Sequence, residues 1–415
     1  MHELLIRPGR PDAELIADLL APTSVGAAER LFGSLVLDAS VAAREPQFGV
    51  SARERDLPLL IDPCTFLWQD EIRSDDPWIK HVPFAKAEVL TPRDVMRPER
   101  RERIVASVVE FELKHGATAI IPPYFFVSGP DDPAFSATIG LIGATARHLR
   151  RLSLPLPIVP VFCGQHQGFA MPQSWKRGIN EFATAAIEVG PQFLGFSLSP
   201  TGSADDGYNK VLRLLQAALQ LRSFGAPVVG WRQGVYGPAL VASGLDGYET
   251  GIGTRERSDI RSMISARRPS RSGKRSSGGA VQGVYLQPLG RSVRNAVAEA
   301  LLGDRSMRAR LICDDSSCCP NGVLSMLDHR GNHAVRSRSR QLAELAAMPH
   351  RAVRLHRMSV DARDGAHLAR KASEILRRER LGKISADGLD SLAEALVTIR
   401  QLDEVTAHGE DETKN

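Results

Sequence analysis

Apolar and polar residues alternate in blocks along this chain. Short runs rich in β-branched and aromatic residues recur at SLVLDAS (34–40), PLLIDPC (58–64), TAIIPPYFF (118–126), PIVPVFCG (157–164), QFLGFSLSP (192–200), PVVGWRQG (227–234) and GLDGYETGIG (244–253), with one more, GVYLQPLG, at 283–290. Each predicts a buried strand. Between them lie stretches with an apolar residue every three or four positions, such as 102–116 and 208–225, which predict amphipathic helices. Strands and helices alternating at this pitch predict a parallel sheet covered by helices. Seven or eight such units favour a closed (β/α)8 TIM-like barrel over an open, doubly wound sheet. The barrel is expected to occupy residues 1–304. A low-complexity stretch, RRPSRSGKRSSGG, marks 256–282 as an inserted basic loop. Residues 305–405 predict a separate helical module, and 406–415 a tail without structure.

Composition adds little to this until it is placed on the chain. With 43% hydrophobic residues in 415, the chain can bury a full core. No apolar run approaches the roughly 20 residues of a membrane span, and the opening MHELLIRPGRPDAEL is charged where a signal peptide would be apolar. The expectation is a soluble, cytoplasmic protein with no membrane partner. The formal charge is only +5, yet eight Lys or Arg and two acids, Glu256 and Asp259, fall between Arg255 and Arg275. Such a stretch is either a solvated loop or an arm that neutralises phosphates.

Barrel chemistry gathers where strands end and loops begin. Polar residues at those ends are Asp62, Thr65, Gln165, Gln167, Ser197, Ser199, Gln233 and Glu249. A carboxylate in an apolar strand is costly to bury without a partner or a task. Asp62 and Glu249 could each cap a helix or pair with Arg255. Facing one pocket, they could instead divide nucleophile and acid/base roles, as in displacement at a sugar anomeric carbon.

Three of the five cysteines, Cys313, Cys318 and Cys319, fall within seven residues. In a cytoplasmic chain this clustering favours a metal over disulfides. A zinc site needs a fourth ligand, and either His333 or His350 could supply it, with His329 less well placed in a charged turn. Cys64 and Cys163 lie in strand-like runs and read as core thiols.

The order of these pieces resembles the tRNA-guanine transglycosylase superfamily over most of the chain. IDPCTFLWQ (61–69) is similar to the family's aspartate-centred motif, VLTPRD (89–94) to its Leu-Thr-Pro-Glu segment, FCGQHQG (162–168) to its Val-Gln-Gly-Gly segment, and LGFSLSP (194–200) to its Gly-Gly-Leu loop. GLDGYETGIGTR (244–255) aligns with the stretch holding the family's nucleophilic aspartate and Thr-Arg pair. The resemblance implies Asp62 as acid/base and Glu249 as nucleophile. It implies contacts to the base from Thr65, Gln165, Gln167, Gly195, Phe196, Ser197 and Arg255. It also implies a structural Zn2+ on Cys313, Cys318, Cys319 and His350, with His333 the alternative. Arg336, Arg338, Arg340 and Arg351 would then be candidates to meet a nucleic-acid backbone.

The departures from the family are specific. Glu replaces the nucleophilic Asp, Pro63-Cys64-Thr65 replaces two glycines, and IIPPYFF lacks the family's second base-recognising aspartate. These changes and the basic insertion suit the branch that exchanges guanine for a 7-deazaguanine base such as preQ0 in DNA, rather than in tRNA. A helicase or ATPase that opens duplex would be a natural partner, and family members often form homodimers. Two rivals stand beside this expectation: a non-catalytic barrel that binds nucleic acid, and an unrelated barrel enzyme such as a lyase or aldolase. Against the latter, no barrel lysine sits at a plausible Schiff-base position.

Overall fold

A computed structural model describes residues 2–21, 30–85, 88–269 and 282–412, with side chains as far as 404. Seven parallel strands form one sheet: β1 (Glu3–Arg7), β2 (Ser34–Asp38), β3 (Leu59–Asp62), β4 (Val161–Gln165), β5 (Leu194–Ser199), β6 (Val228–Gly230) and β7 (Gly247–Gly251), in the order β3-β2-β1-β7-β6-β5-β4. The segment 118–127 closes the gap between β3 and β4. It bridges Leu60 through Ala119 and, further along, Ile158 through Ile120 and Gly164 through Val127. Eight staves therefore close the barrel, as the alternation of strands and helices predicts.

The irregular stave has a chemical cause. Pro122 and Pro123 have no N–H to give a ladder. Side chains on the turn after β3 stand in for it. Thr65 Oγ1 accepts from Tyr124 N at 2.8 Å and donates to Tyr124 O at 2.7 Å. Gln69 does the same for Phe126, at 2.6 and 2.9 Å.

The remaining strand is the one the pattern analysis lacked. The first stave is ELLIR at 3–7, between β2 and β7. Only three apolar residues separate Glu3 from Arg7, too few to register as a run. The 283–290 run, expected within the barrel domain, forms an antiparallel hairpin outside it, β8 (Val284–Leu286) with β9 (Arg291–Val293). Its Val284, Leu286 and Leu289 pack with Leu301, Met307, Leu311, Cys318, Cys319 and Ala369 in a second core. The module thus begins near 284 rather than 305. At the other end the helix Asp387–Glu412 runs through most of the tail expected to lack structure. Extending an existing helix fixes one residue per hydrogen bond gained, which is far less demanding than starting one. The centre of the basic insertion, 270–281, lies outside the described residues. No described helix is long and apolar enough to cross a membrane.

Two features place the functional groups. A strap, 254–268, crosses the mouth at the C-terminal ends of the strands. Gly251 permits its tight departure from β7, since a Cβ there would lie 1.9 Å from Thr254 O. Ser258 pairs antiparallel with Thr201, Arg261 reaches Gln165, Arg267 pairs with Asp76 and Arg268 with Asp70. The helix Arg330–Ala346 docks the module, with Ala334, Val335 and Leu342 in the barrel core. Its Arg338 is buried over the Tyr285 ring, donates to Gly234 O at 2.7 Å and pairs with Glu256 of the strap at 2.8 Å.

Candidate active site and metal cluster

Under the strap lies a buried network of three carboxylates and three arginines. Arg7 ends β1, Asp38 ends β2, Asp62 ends β3 and Glu249 lies in β7; parallel strands with aligned ends bring all four together. Arg7, Asp62 and Glu249 have side-chain exposures of 0%. Arg7 donates to Glu249 from Nε at 2.8 Å and from Nη2 at 3.0 Å, while its Nη1 meets Asp38 at 2.5 Å and Asp62 at 2.9 Å. The guanidinium also lies over the Trp231 ring, 5.1 Å from its centre. One guanidinium therefore joins both sequence-predicted carboxylates, an arrangement with shorter, stronger bonds than neutral pairs make.

Arg232 enters from the loop after β6. Its Nη2 lies 2.8 Å from Asp38 and 3.0 Å from Asp62, and its backbone N donates to Glu249 Oε2 at 2.9 Å. Arg255 reaches Asp38 Oδ2 at 2.9 Å from a side chain that is 41% exposed. Asp62 also accepts from Tyr124 OH at 2.9 Å and from Cys64 N at 2.9 Å.

Burial alone would raise the Asp38 and Asp62 carboxyls. For Asp38 the guanidiniums of Arg232, Arg7 and Arg255 outweigh it, and for Asp62 those of Arg7 and Arg232 do, so both stay ionised below the usual carboxylate range. Burial, then Asp38 and Asp62, push Cys64 well up, so it is a thiol. Burial and Asp62 likewise hold Tyr124 protonated, as a donor.

The other expected base contacts fare differently. Gln165 stands at the mouth, its Oε1 taken by Arg261 at 2.6 Å and its Nε2 given to exposed Gln167 at 2.9 Å. Ser197 is buried and bonded to Ser258 of the strap at 2.9 Å. Gly195 and Phe196 are corrections: both lie in the β5 ladder, where Gly195 N donates to Pro160 O and Phe196 O accepts from Trp231 N. Their backbone groups are spent on the barrel wall, because the strand runs two residues further than the loop expected there. Thr65 is a correction too, since its hydroxyl serves the Tyr124 backbone.

The site holds three groups that sequence reasoning missed: Arg7, Asp38 and Arg232. Each ends or directly follows an apolar run, LLIR, LVLD and VVGWR, and that position was the available signal.

The cysteine cluster forms as expected, with a different histidine. Ligand atoms of Cys313, Cys318, Cys319 and His333 all lie within 4.8 Å of one another. His350 is exposed and stands at the residue before the next helix, Arg351–Arg378, with no capping bond from its side chain. The correction follows from helix periodicity. His333 sits on the face of Arg330–Ala346 that meets the cysteine loop, whereas His350 lies beyond the helix end. His333 Nδ1 is 3.5 Å from Cys318 Sγ and 3.4 Å from Cys319 Sγ, and the two sulfurs are 3.7 Å apart. An ion with bonds of about 2.3 Å to sulfur and about 2.0 Å to nitrogen at tetrahedral angles would space its ligand atoms at about 3.5–3.8 Å. The cluster fits such an ion. His333 Nε2 meets Tyr285 O at 2.9 Å, leaving Nδ1 toward the sulfurs. Hydrogen bonding from Cys319, then from His333, against burial, brings Cys318 down, while the same contact and burial push Cys319 up, so that without a cation one thiolate stands beside a thiol. The four candidate backbone-contacting arginines are occupied within the module or against the barrel: Arg336 with Asn332, Arg338 as described, Arg340 with Asp314 and Arg351 with Asp403.

No family model matches the chain, and no curated protein does. Among solved structures it is similar to 2,3-dimethylmalate lyase, of the PEP mutase/isocitrate lyase superfamily, at 9% identity and a TM-score of 0.31, over 60% of this chain and 75% of that one. It is also similar to pyruvate carboxylase of Rhizobium etli at 12% identity and a TM-score of 0.36, over 96% of this chain and 36% of that one. Likeness at this level carries no argument, and the barrel rests on its own strand pairing.

Proposed function

We propose that the chain is a transglycosylase that exchanges guanine for a 7-deazaguanine base in nucleic acid, DNA rather than tRNA. One observation carries this reading: Asp62 and Glu249, the two carboxylates picked out by the family resemblance, lie at the barrel mouth on either side of one guanidinium, that of Arg7. In the proposed reaction the target nucleotide is flipped into the mouth. A Glu249 oxygen forms a bond to C1′ as the C1′–base bond breaks, giving a sugar ester. The departing base takes a proton from Asp62, and the incoming base returns one to it as its nitrogen displaces the ester. Asp62, held ionised by Arg7 and Arg232, is prepared for the second half; for the first, it takes up a proton from solvent once Arg232 has moved off it. Cys313, Cys318, Cys319 and His333 would hold a zinc ion that ties the module to the barrel.

Trapping of a nucleic-acid adduct by wild-type protein and its loss in Glu249→Gln would support the reading. An undiminished adduct in that variant would remove the nucleophile. Labelled guanine offered with tRNA, duplex DNA and single-stranded DNA separates the acceptors.

One feature favours a second reading, a barrel that binds nucleic acid without exchanging a base. Both Glu249 oxygens already accept hydrogen bonds, from Arg7 and from Arg232 N. That reading expects no labelled base in any acceptor and binding that tolerates Glu249→Ala.

A further inference from the structure

The loop after β6 is held in a strained shape. Trp231 N donates to Phe196 O, and Arg232 then turns at φ 55°, in the left-handed region that side chains rarely adopt. From that turn Arg232 N donates to Glu249 Oε2 at 2.9 Å, and Gln233 N donates to Glu249 O at 3.2 Å. Gly234 lets the loop lie close against β7, since a Cβ there would stand 2.1 Å from Thr250 Oγ1. These contacts set where the Glu249 carboxylate points. A strained loop keeps one shape only if its surroundings impose it.

Those surroundings come from the module. Arg338, 1% exposed, donates from Nη1 to Gly234 O at 2.7 Å and brings Nη2 to 2.8 Å from Glu256 of the strap. Glu256 O in turn accepts from Val235 N at 3.1 Å, so loop and strap share one anchor. The Glu256 carboxylate is also tied to the module's hairpin, accepting from Ser292 N at 3.0 Å and Ser292 Oγ at 2.7 Å. The Arg338 guanidinium lies 4.1 Å from the centre of the Tyr285 ring, and Tyr285 O meets His333 Nε2 at 2.9 Å. An ion on the cysteine cluster would fix the His333 ring, and with it the hairpin strand that supports Arg338. The Arg7 ion pairs need no such support; the loop that aims at Glu249 does.

We propose that Arg338 is a positioning residue: from the metal-binding module it holds the 231–235 loop so that Glu249 keeps one orientation at the mouth. Metal on the cluster keeps Arg338 in place. Its own bonds go to Gly234 and Glu256, so it acts on Glu249 through the loop. The consequence for catalysis rests on the base-exchange reading; the ordering of the loop does not.

The test uses zinc-loaded, full-length Arg338→Met, which keeps the reach of the side chain, with Arg338→Lys, which keeps a cation but not the fork. Ala334, Val335 and Leu342 should keep the module docked in both. Amide hydrogen exchange at Arg232 and Gln233 should be about tenfold or more faster in the Met variant, the worth of one hydrogen bond from a charged group. Exchange in β2 and β3 should not change, and the Lys variant should fall between Met and wild type. Chelation of wild type should expose the same two amides while β2 and β3 stay protected. In the base-exchange assay the Met variant should lose about tenfold or more in kcat at unchanged KM for the acceptor, because Arg338 orients a reacting group and is buried away from ligands. Unaltered exchange at the two amides, exchange raised evenly through the barrel, or loss of zinc and fold from both variants would each overturn the proposal. So would faster amides beside an unchanged kcat. Faster amides in a protein whose wild type exchanges no base would keep the ordering role and remove the base-exchange reading. Base exchange with unaltered amides would do the reverse.

Discussion

The barrel mouth and the cysteine cluster are both buried groups of ionisable side chains, but only one is complete in itself. At the mouth, three carboxylates meet three guanidiniums, and each carboxylate has at least two donors. In the cluster, three sulfurs and a ring nitrogen converge at the spacing of metal ligands. A charge-balanced network persists without a ligand, whereas a convergent set of thiolates and imidazole is held together by the ion it surrounds. The mouth therefore stands on its own ion pairs beneath the strap, whereas the cluster would depend on an ion.

Metal removal should separate the two regions most sharply. Protein purified without chelator should carry about one zinc per chain. Prolonged chelation, or Cys318→Ser, should unfold the 284–404 module while the barrel's circular dichroism persists in part, since the apparent binding energy of structural zinc reaches about 10 kcal/mol. Limited proteolysis would locate the loss. Metal-free protein with an intact module would mean that the second core suffices and that the cluster is only a set of thiols.

The next largest effect belongs to Arg7. Arg7→Met leaves Asp38, Asp62 and Glu249 short of a buried counter-charge, and breaking such a network costs about 3–5 kcal/mol. The deficit should shrink as pH falls from 8 to 5, because carboxylates that have lost a cation take up protons more readily. Urea unfolding at both pH values checks the size and the sign together. A loss below about 1 kcal/mol would show that Arg232 and Arg255 carry the network alone.

How much of this was legible in the sequence depends on what carried each feature. The staves of β2 to β7 and the Cys313-Cys318-Cys319 set announce themselves through periodicity and spacing. The ladder that replaces Pro122-Pro123 does not, because it is made by Thr65 and Gln69 from 57 to 59 residues away. Asp62 and Glu249 were visible as carboxylates in apolar strands. Arg7 was hidden by the shortness of its strand, and the choice of His333 over His350 depended on which helix face meets the cysteine loop. That Arg338 clamps Gly234 and Glu256 instead of facing solvent follows from the docking of the whole module, which no local pattern encodes.

Smaller perturbations at the mouth should follow the same logic. Tyr124→Phe removes one donor from Asp62 at a cost of about 1 kcal/mol near pH 7. Asp62 has a lowered folded-state pKa, so its stabilisation is present above the unfolded value, about 3.9, and is lost as pH falls through the folded one. With a donor gone the folded value moves up. Acid unfolding of the variant should therefore begin at higher pH than in wild type, and coincident profiles would show that Arg7 and Arg232 alone set the ionisation of Asp62.

The smallest effect should come from Arg255, although it touches the same Asp38 as Arg7 and Arg232. Its side chain is 41% exposed, so water screens the pair and the flexible stem loses entropy in making it. Asp38 also keeps its two buried guanidiniums when Arg255 is shortened. Arg255→Ala should cost about 0–1 kcal/mol in urea unfolding, since its Cβ leaves the strain of a residue held at φ 56° in place. Replacement by Gly, which has no Cβ to strain that backbone, should leave stability unchanged or raise it. A loss above about 2 kcal/mol in both variants would mean that the strap is pinned to the barrel through Arg255 and not through Arg261, Arg267 and Arg268. The closure of the mouth would then depend on the one arginine of the network that solvent already reaches.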